Sequence, residues 1–132
     1  MLTIYTSPSC TSCRKARQWL DQHAISYIEK DLHREKISIE ELKQILMLTE
    51  RGTIEIFSSR SVIYKRYEAT IDDLSVGQLL KLIQEHPKLL RRPILIDEKR
   101  LLIGFNEDDI RRFIPRKVRR LEMKDAIMRA GL

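Results

Sequence analysis

Apolar and polar positions alternate over Leu2–Thr6, and several of these residues are β-branched, so the chain opens on a predicted strand. Ser7, Pro8 and Ser9 interrupt it. From Cys10 or Thr11 to about His23 the spacing becomes helical, with Cys13, Ala16, Leu20 and Ala24 on one face and Trp19 at its margin. Ile25–Ile28 reads as a second short strand after a tight connection. A β-α-β opening favours parallel pairing with a right-handed crossover.

The next stretch, about 38–86, reads as helical throughout. Ser38 and Glu41 form a capping-box pattern ahead of Leu42, Ile45, Leu46 and Thr49. Gly52 is expected to stop that helix. Shorter amphipathic pieces come next, over Thr53–Phe57 and Arg60–Tyr67. Ser75 and Gln78 repeat the capping pattern before Leu79, Leu80 and Ile83, and Pro87 closes the region. Strands return at Ile94–Ile96 and Leu101–Ile103, joined as a hairpin through Asp97–Arg100. Asn106 can cap a last helix through Ile114, which Pro115 breaks. Beyond Pro115 the chain is either a helix or a loosely held tail.

This order is α/β, of the thioredoxin-like kind: β-α-β, a helical insertion, then β-β-α. The predicted organisation is one domain of 132 residues. Its core spans about 1–33 and 88–118, its insertion about 38–86 and its basic tail about 116–132. The longest apolar runs, such as Leu101–Phe105, are strand-sized, so no membrane span or membrane role is expected. The first residues carry no basic segment followed by an apolar one, so no export signal is read and a cytoplasmic location is expected. Four Gly and four Pro exclude a collagenous or low-complexity chain.

Charge changes the picture in one respect. The net charge is +6, yet residues 1–87 hold 12 basic and 12 acidic side chains. Residues 88–132 hold 13 and 7, so the whole excess lies in the last third. A basic face suits nucleic acid, anionic lipid or an acidic protein surface, and a solvated surface accounts for it equally.

The candidate chemistry sits at Cys10 and Cys13, the only two cysteines. Two Cys without an export signal indicate a redox or metal pair, not a disulfide scaffold. They lie where the first strand runs into the first helix, a place where free backbone N–H groups and the helix dipole stabilise a thiolate. Arg14 and Lys15 add positive charge nearby. Cys10 is then the attacking sulfur and Cys13 the resolving one, although Cys13 also fits a simply buried position. Zinc is a minor alternative: only His23, His33 and His86 remain as nitrogen ligands, and none has ligand spacing to the pair. No metal and no cofactor are expected. Arg92-Pro93 precedes the third strand, where a thioredoxin-like fold carries a cis proline facing the Cys pair. Arg92 there could stabilise a thiolate or hold an oxyanion, or could be part of a solvated turn.

The chain resembles the Spx family of redox-sensing transcription regulators of low-GC Gram-positive bacteria, within the arsenate-reductase-like group. The resemblance rests on Tyr5–Arg17 around the Cys pair, Leu89–Ile94, Ile96–Leu101 and Asn106–Lys117. It implies a protein that binds the C-terminal domain of the RNA polymerase α subunit and activates thiol-stress genes. It also implies interference with some activator-dependent transcription. A Cys10–Cys13 disulfide would tune that activity. Gly52 and Arg60 would belong to the α-subunit surface, and Arg92 would respond to the redox state of Cys10. Promoter DNA would be met only within the polymerase complex, and a Clp-type protease would remove the protein through its tail. Met47 and Val62 are apolar where a DNA-facing surface would favour cations, and Tyr64–Asp73 has no close match in the family pattern.

An arsenate reductase or thiol-disulfide oxidoreductase is the alternative. Arsenate-reductase relatives surround one nucleophilic Cys with several Arg, and here Arg60 and Arg92 could supply two. After the hairpin the chain reads Gly104-Phe105-Asn106-Glu107, with no further Arg, and Cys13 is an extra thiol. No catalytic residue is therefore assigned and a regulator, not an enzyme, is expected.

Overall fold

Strands β1 (Leu2–Thr6), β2 (Tyr27–Asp31), β3 (Ile94–Ile96) and β4 (Leu101–Ile103) form one sheet in the order β2-β1-β3-β4. The coordinates are a computed structural model, and the structure describes residues 1–131. β1 pairs with β2 in parallel, Leu2 opposite Tyr27. It pairs antiparallel with β3, Ile4 opposite Leu95, and β3 turns back into β4, Leu95 opposite Leu102. Side chains alternate between the two faces of such a sheet. Leu2, Ile4, Leu95 and Leu102 join Ala16, Leu20, Ile110 and Phe113 in one cluster. Tyr5, Ile94 and Ile96 join Leu42, Ile45, Leu80 and Ile83 in the other. The sheet thus lies between two helical layers, a thioredoxin-like arrangement.

Helix α1 (Thr11–Gln22) covers the first face with buried Cys13, Ala16, Trp19 and Leu20. Helices α2 (Ile39–Met47), α3 (Thr53–Ile56), α4 (Val62–Tyr67) and α5 (Val76–Glu85) form the insertion against the second face. Both capping boxes are closed. Ser38 Oγ accepts the Glu41 N–H at 3.0 Å while the Glu41 carboxylate accepts the Ser38 N–H at 3.2 Å. Ser75 and Gln78 do the same at 3.2 and 2.9 Å.

Glu41 also ties α2 to the sheet. Its Oε2 accepts from Tyr5 Oη at 2.6 Å and from Lys30 Nζ at 3.1 Å. Burial disfavours the carboxylate, but the bonds from Tyr5, Lys30 and Ser38 together outweigh it and hold Glu41 below the usual carboxylate range. Stability from this group is present above the ordinary carboxylate value and is lost as pH falls through the lowered one. Glu41→Gln is expected to cost about 1–2 kcal/mol at pH 7 and to flatten the acid limb of a urea-denaturation pH series. An unchanged acid limb would show that Glu41 does not carry it.

Several sequence expectations shift. The second strand is Tyr27–Asp31, not Ile25–Ile28, because Ala24 turns the chain at φ +53° and is exposed instead of extending the apolar face. Helix α2 ends at Met47 with Leu48 as its cap, so Gly52 does not stop it; Gly52 instead starts α3. Asn106 Oδ1 accepts the N–H groups of Asp108 and Asp109, but the element it introduces is one short 3-10 stretch, Asp109–Phe113. Beyond Pro115 the chain forms α6 (Arg116–Arg129), exposed along its length and joined back by an Arg111–Glu122 ion pair at 2.7 Å.

Candidate functional site

Cys10 occupies the N-cap of α1, and its Sγ accepts the Cys13 N–H at 3.2 Å. The preceding residue, Ser9, has φ +59°, a conformation costly for a residue with a side chain. Cys10, directly after this step between strand and helix, is partly exposed, while Cys13, one helical turn on, is fully buried. Both thiols are free. Burial pushes the Cys13 thiol up to about 12, and its contact with Cys10 adds to this; the Ser7 backbone and the Arg92 charge pull the other way. Cys13 therefore stays protonated at neutral pH, and Cys10 is the reachable sulfur.

Two consequences can be measured. Iodoacetamide at pH 8 is expected to label Cys10 in the folded chain and Cys13 only after denaturation. A group whose folded value is raised contributes stability that is complete below its unfolded value and lost as pH rises through the folded one. Stability should therefore fall from about pH 9 upward, and Cys13→Ala should remove the earliest part of that fall. Equal labelling of both thiols in the folded chain would contradict this assignment of roles.

Cys10 opens into a groove of about 580 Å³ that includes Ser7, Ser9, His33, Ser58, Arg60, Lys88 and Arg92. The sequence-derived residues Cys10, Arg60 and Arg92 thus meet at one place. The Arg92–Pro93 peptide is cis, and Pro93 is buried. His33 and Lys88 join them in the groove, and no local sequence pattern marks either for it. A short antiparallel pairing between the insertion and the core brings Arg60 here. Phe57 bridges Leu90, the Ser58 N–H donates to Leu89 O at 2.7 Å, and the Arg91 N–H donates to Ile56 O at 2.8 Å.

Gly52 is not part of this groove. It lies at the start of α3 with φ +73° and ψ −143°, a conformation that glycine adopts at least cost. A second groove nearby includes Glu50, Arg51, Glu55, Arg91 and Arg112. Residues 56–58 and 89–91 run between the two loci: Arg91 Nη1 donates to the Glu55 carbonyl of α3, and Arg92 lines the groove with Cys10. Among the described residues there is no cluster of three His, Cys, Asp or Glu able to hold a metal ion, and no helix long and apolar enough to cross a membrane.

The sequence profile of the ArsC family matches residues 5–113. A global transcriptional regulator Spx of Enterococcus faecalis is 58% identical over 132 residues, covering 100% of both chains. A protein of the same description from Bacillus subtilis is 55% identical over 126 residues, 96% of each chain. Among solved structures, an ArsC-family-related protein from Bacteroides fragilis superposes with a TM-score of 0.75 at 24% identity, covering 85% of this chain and 96% of that one, and speaks for the fold alone. An arsenate reductase from Vibrio cholerae gives 0.68 at 26% identity, with 85% and 93% covered.

Proposed function

We propose that this chain, which belongs to the ArsC family in the branch of the Spx regulators, controls transcription by docking on the C-terminal domain of the RNA polymerase α subunit under control of a Cys10–Cys13 disulfide. The observation that carries the reading is the 58% identity with a named Spx regulator over the full length of both chains. The site is consistent with it. A reachable thiol at a helix N-terminus, a buried partner thiol one turn on and a half-buried glycine turn elsewhere suit a sensor and a docking surface in separate places.

The chemistry would run in two steps. Cys10 sulfur attacks a peroxide, taking one oxygen as a sulfenic acid and releasing water or an alcohol. Cys13 then loses its proton and displaces hydroxide from that sulfur, forming the S–S bond and water. Two electrons pass from the thiol pair to the peroxide. Closing this bond ties the Cys10 N-cap to α1 and alters what Arg92 faces. Arg91 and the 56–58 pairing would carry that change to α3. Such coupling between sites is typically worth roughly 1–3 kcal/mol.

Co-sedimentation with purified polymerase tests the docking. The chain should bind intact polymerase and fail to bind enzyme whose α subunits lack the C-terminal domain; equal binding to both would remove the α subunit as the target. The cations around Cys10 also suit a reductase acting on an oxyanion, and the likeness to the Vibrio cholerae enzyme favours testing it. Arsenate turnover supplied with a thiol reductant should be absent.

A further inference from the structure

The backbone of Gly52 needs something to hold it. Glycine populates this region about as readily as its mirror image, so its own preference does not select one shape, and a Cβ built there would meet nothing within 4 Å. Packing around the glycine therefore does not impose the shape. Glu55, in the first turn of α3, is placed to do so. One of its carboxylate oxygens accepts the Glu50 N–H and the other accepts the Arg51 N–H, each at 3.2 Å. A capping-box glutamate ordinarily reaches the N–H of the cap residue itself. This one passes over Gly52 and grips the two residues before it. The Glu55 N–H in turn donates to Gly52 O at 3.2 Å, so the turn is closed from both sides.

Two further contacts fix the clamp in place. The Arg51 guanidinium lies 3.8 Å from the same carboxylate, and the Glu55 side chain, 20% exposed, is held down on the turn while Arg51 itself stays in solvent. The Glu55 carbonyl accepts from Arg91 Nη1 at 3.4 Å, which anchors α3 to the residue before Arg92.

From these contacts we propose that Glu55 is a positioning residue of the docking surface: its carboxylate holds Glu50, Arg51 and Gly52 in the shape presented to the polymerase α subunit. The proposal rests on the reading of Gly52 as a docking position. The carboxylate form is required because both acceptors are used at once; a Gln side chain offers one oxygen, and Ala offers none.

The test uses the full reduced chain as Glu55→Ala and Glu55→Gln, with Gly52→Arg beside them. Three quantities are read: amide hydrogen exchange at Glu50 and Arg51, thermal melting, and affinity for the purified α C-terminal domain. In Glu55→Ala, exchange at these two amides should speed up roughly tenfold while β1 and β3 amides stay protected, and affinity should fall roughly tenfold. Glu55→Gln should recover part of both, a graded rescue that a general loss of stability would not give. Native exchange at Glu50 and Arg51 in both variants would overturn the clamp. Faster exchange with native affinity, while Gly52→Arg no longer binds, would overturn the positioning role and leave the docking reading standing. Native affinity in Gly52→Arg would overturn the docking reading and the proposal with it, whatever the exchange shows of the clamp.

Discussion

Gly52→Arg is expected to abolish binding to the polymerase α C-terminal domain while the chain remains folded. Two effects act at this position and must be separated. The first is conformational: any side chain at φ +73° and ψ −143° is strained, at a cost of about 1–3 kcal/mol. The second is steric and concerns only the partner, because the space around the glycine is open within the chain itself. Gly52→Ala carries the same backbone strain with almost no reach. It should lower the melting temperature by the same few degrees as Arg and weaken binding modestly. Arg should add a loss of orders of magnitude in affinity, since a long cation would stand where a partner surface approaches. Isothermal titration of both variants, with melting curves, separates the two. Equal affinities for Ala and Arg would mean that no partner packs against Gly52.

Cys10→Ala carries the second large effect. The variant should bind the α subunit as the reduced native chain does, and diamide or peroxide should no longer change that affinity. Cys10 is the sulfur that faces the groove, and its removal leaves Cys13 buried and protonated with no partner thiol. Cys13→Ala should differ in kind. Cys10 could still be oxidised, but only to a sulfenic acid or a mixed disulfide, so the response should become dependent on added thiols. The two variants also separate sensing from folding, because Cys13 is fully buried in α1 and its truncation opens a small cavity. Native oxidant sensitivity in Cys10→Ala would place the sensor elsewhere in the chain.

Much of the scaffold is legible in the sequence because short-range chemistry decides it. Ser38 with Glu41 and Ser75 with Gln78 begin helices by bonds three residues apart, so the sequence pattern and the geometry coincide. The alternation of Leu2, Ile4 and their neighbours sorts β1 between two cores for the same reason. The Cys pair is legible at its place between strand and helix. Gly52 shows where local rules fall short. A glycine after a helical run reads as a stop signal, but α2 has already ended at Met47, and the glycine opens α3. Its partner Glu55, three residues on, carries a capping signal that only Ser- or Thr-led patterns bring to notice. The pairing of 56–58 with 89–91 joins segments more than thirty residues apart, and no local signal announces it. That pairing is what brings Arg60 into the groove that Cys10 lines, while Gly52 lies outside it. The C-terminal helix is undecided from sequence for a related reason: its apolar residues, Val118, Leu121, Met123, Ile127 and Met128, are exposed, so no core fixes its state.

If one thiol pair sets the affinity of one protein surface for the polymerase α subunit, the two redox states of the chain must differ in that affinity. This is measured by titrating the isolated α C-terminal domain into the full chain, once fully reduced and once with the Cys10–Cys13 disulfide verified by mass spectrometry. Saturable binding is expected in both states, with affinities that differ about fivefold or more, and no difference in Cys10→Ala. Identical affinities in the two redox states, or no binding in either, would contradict control of docking by the thiol pair.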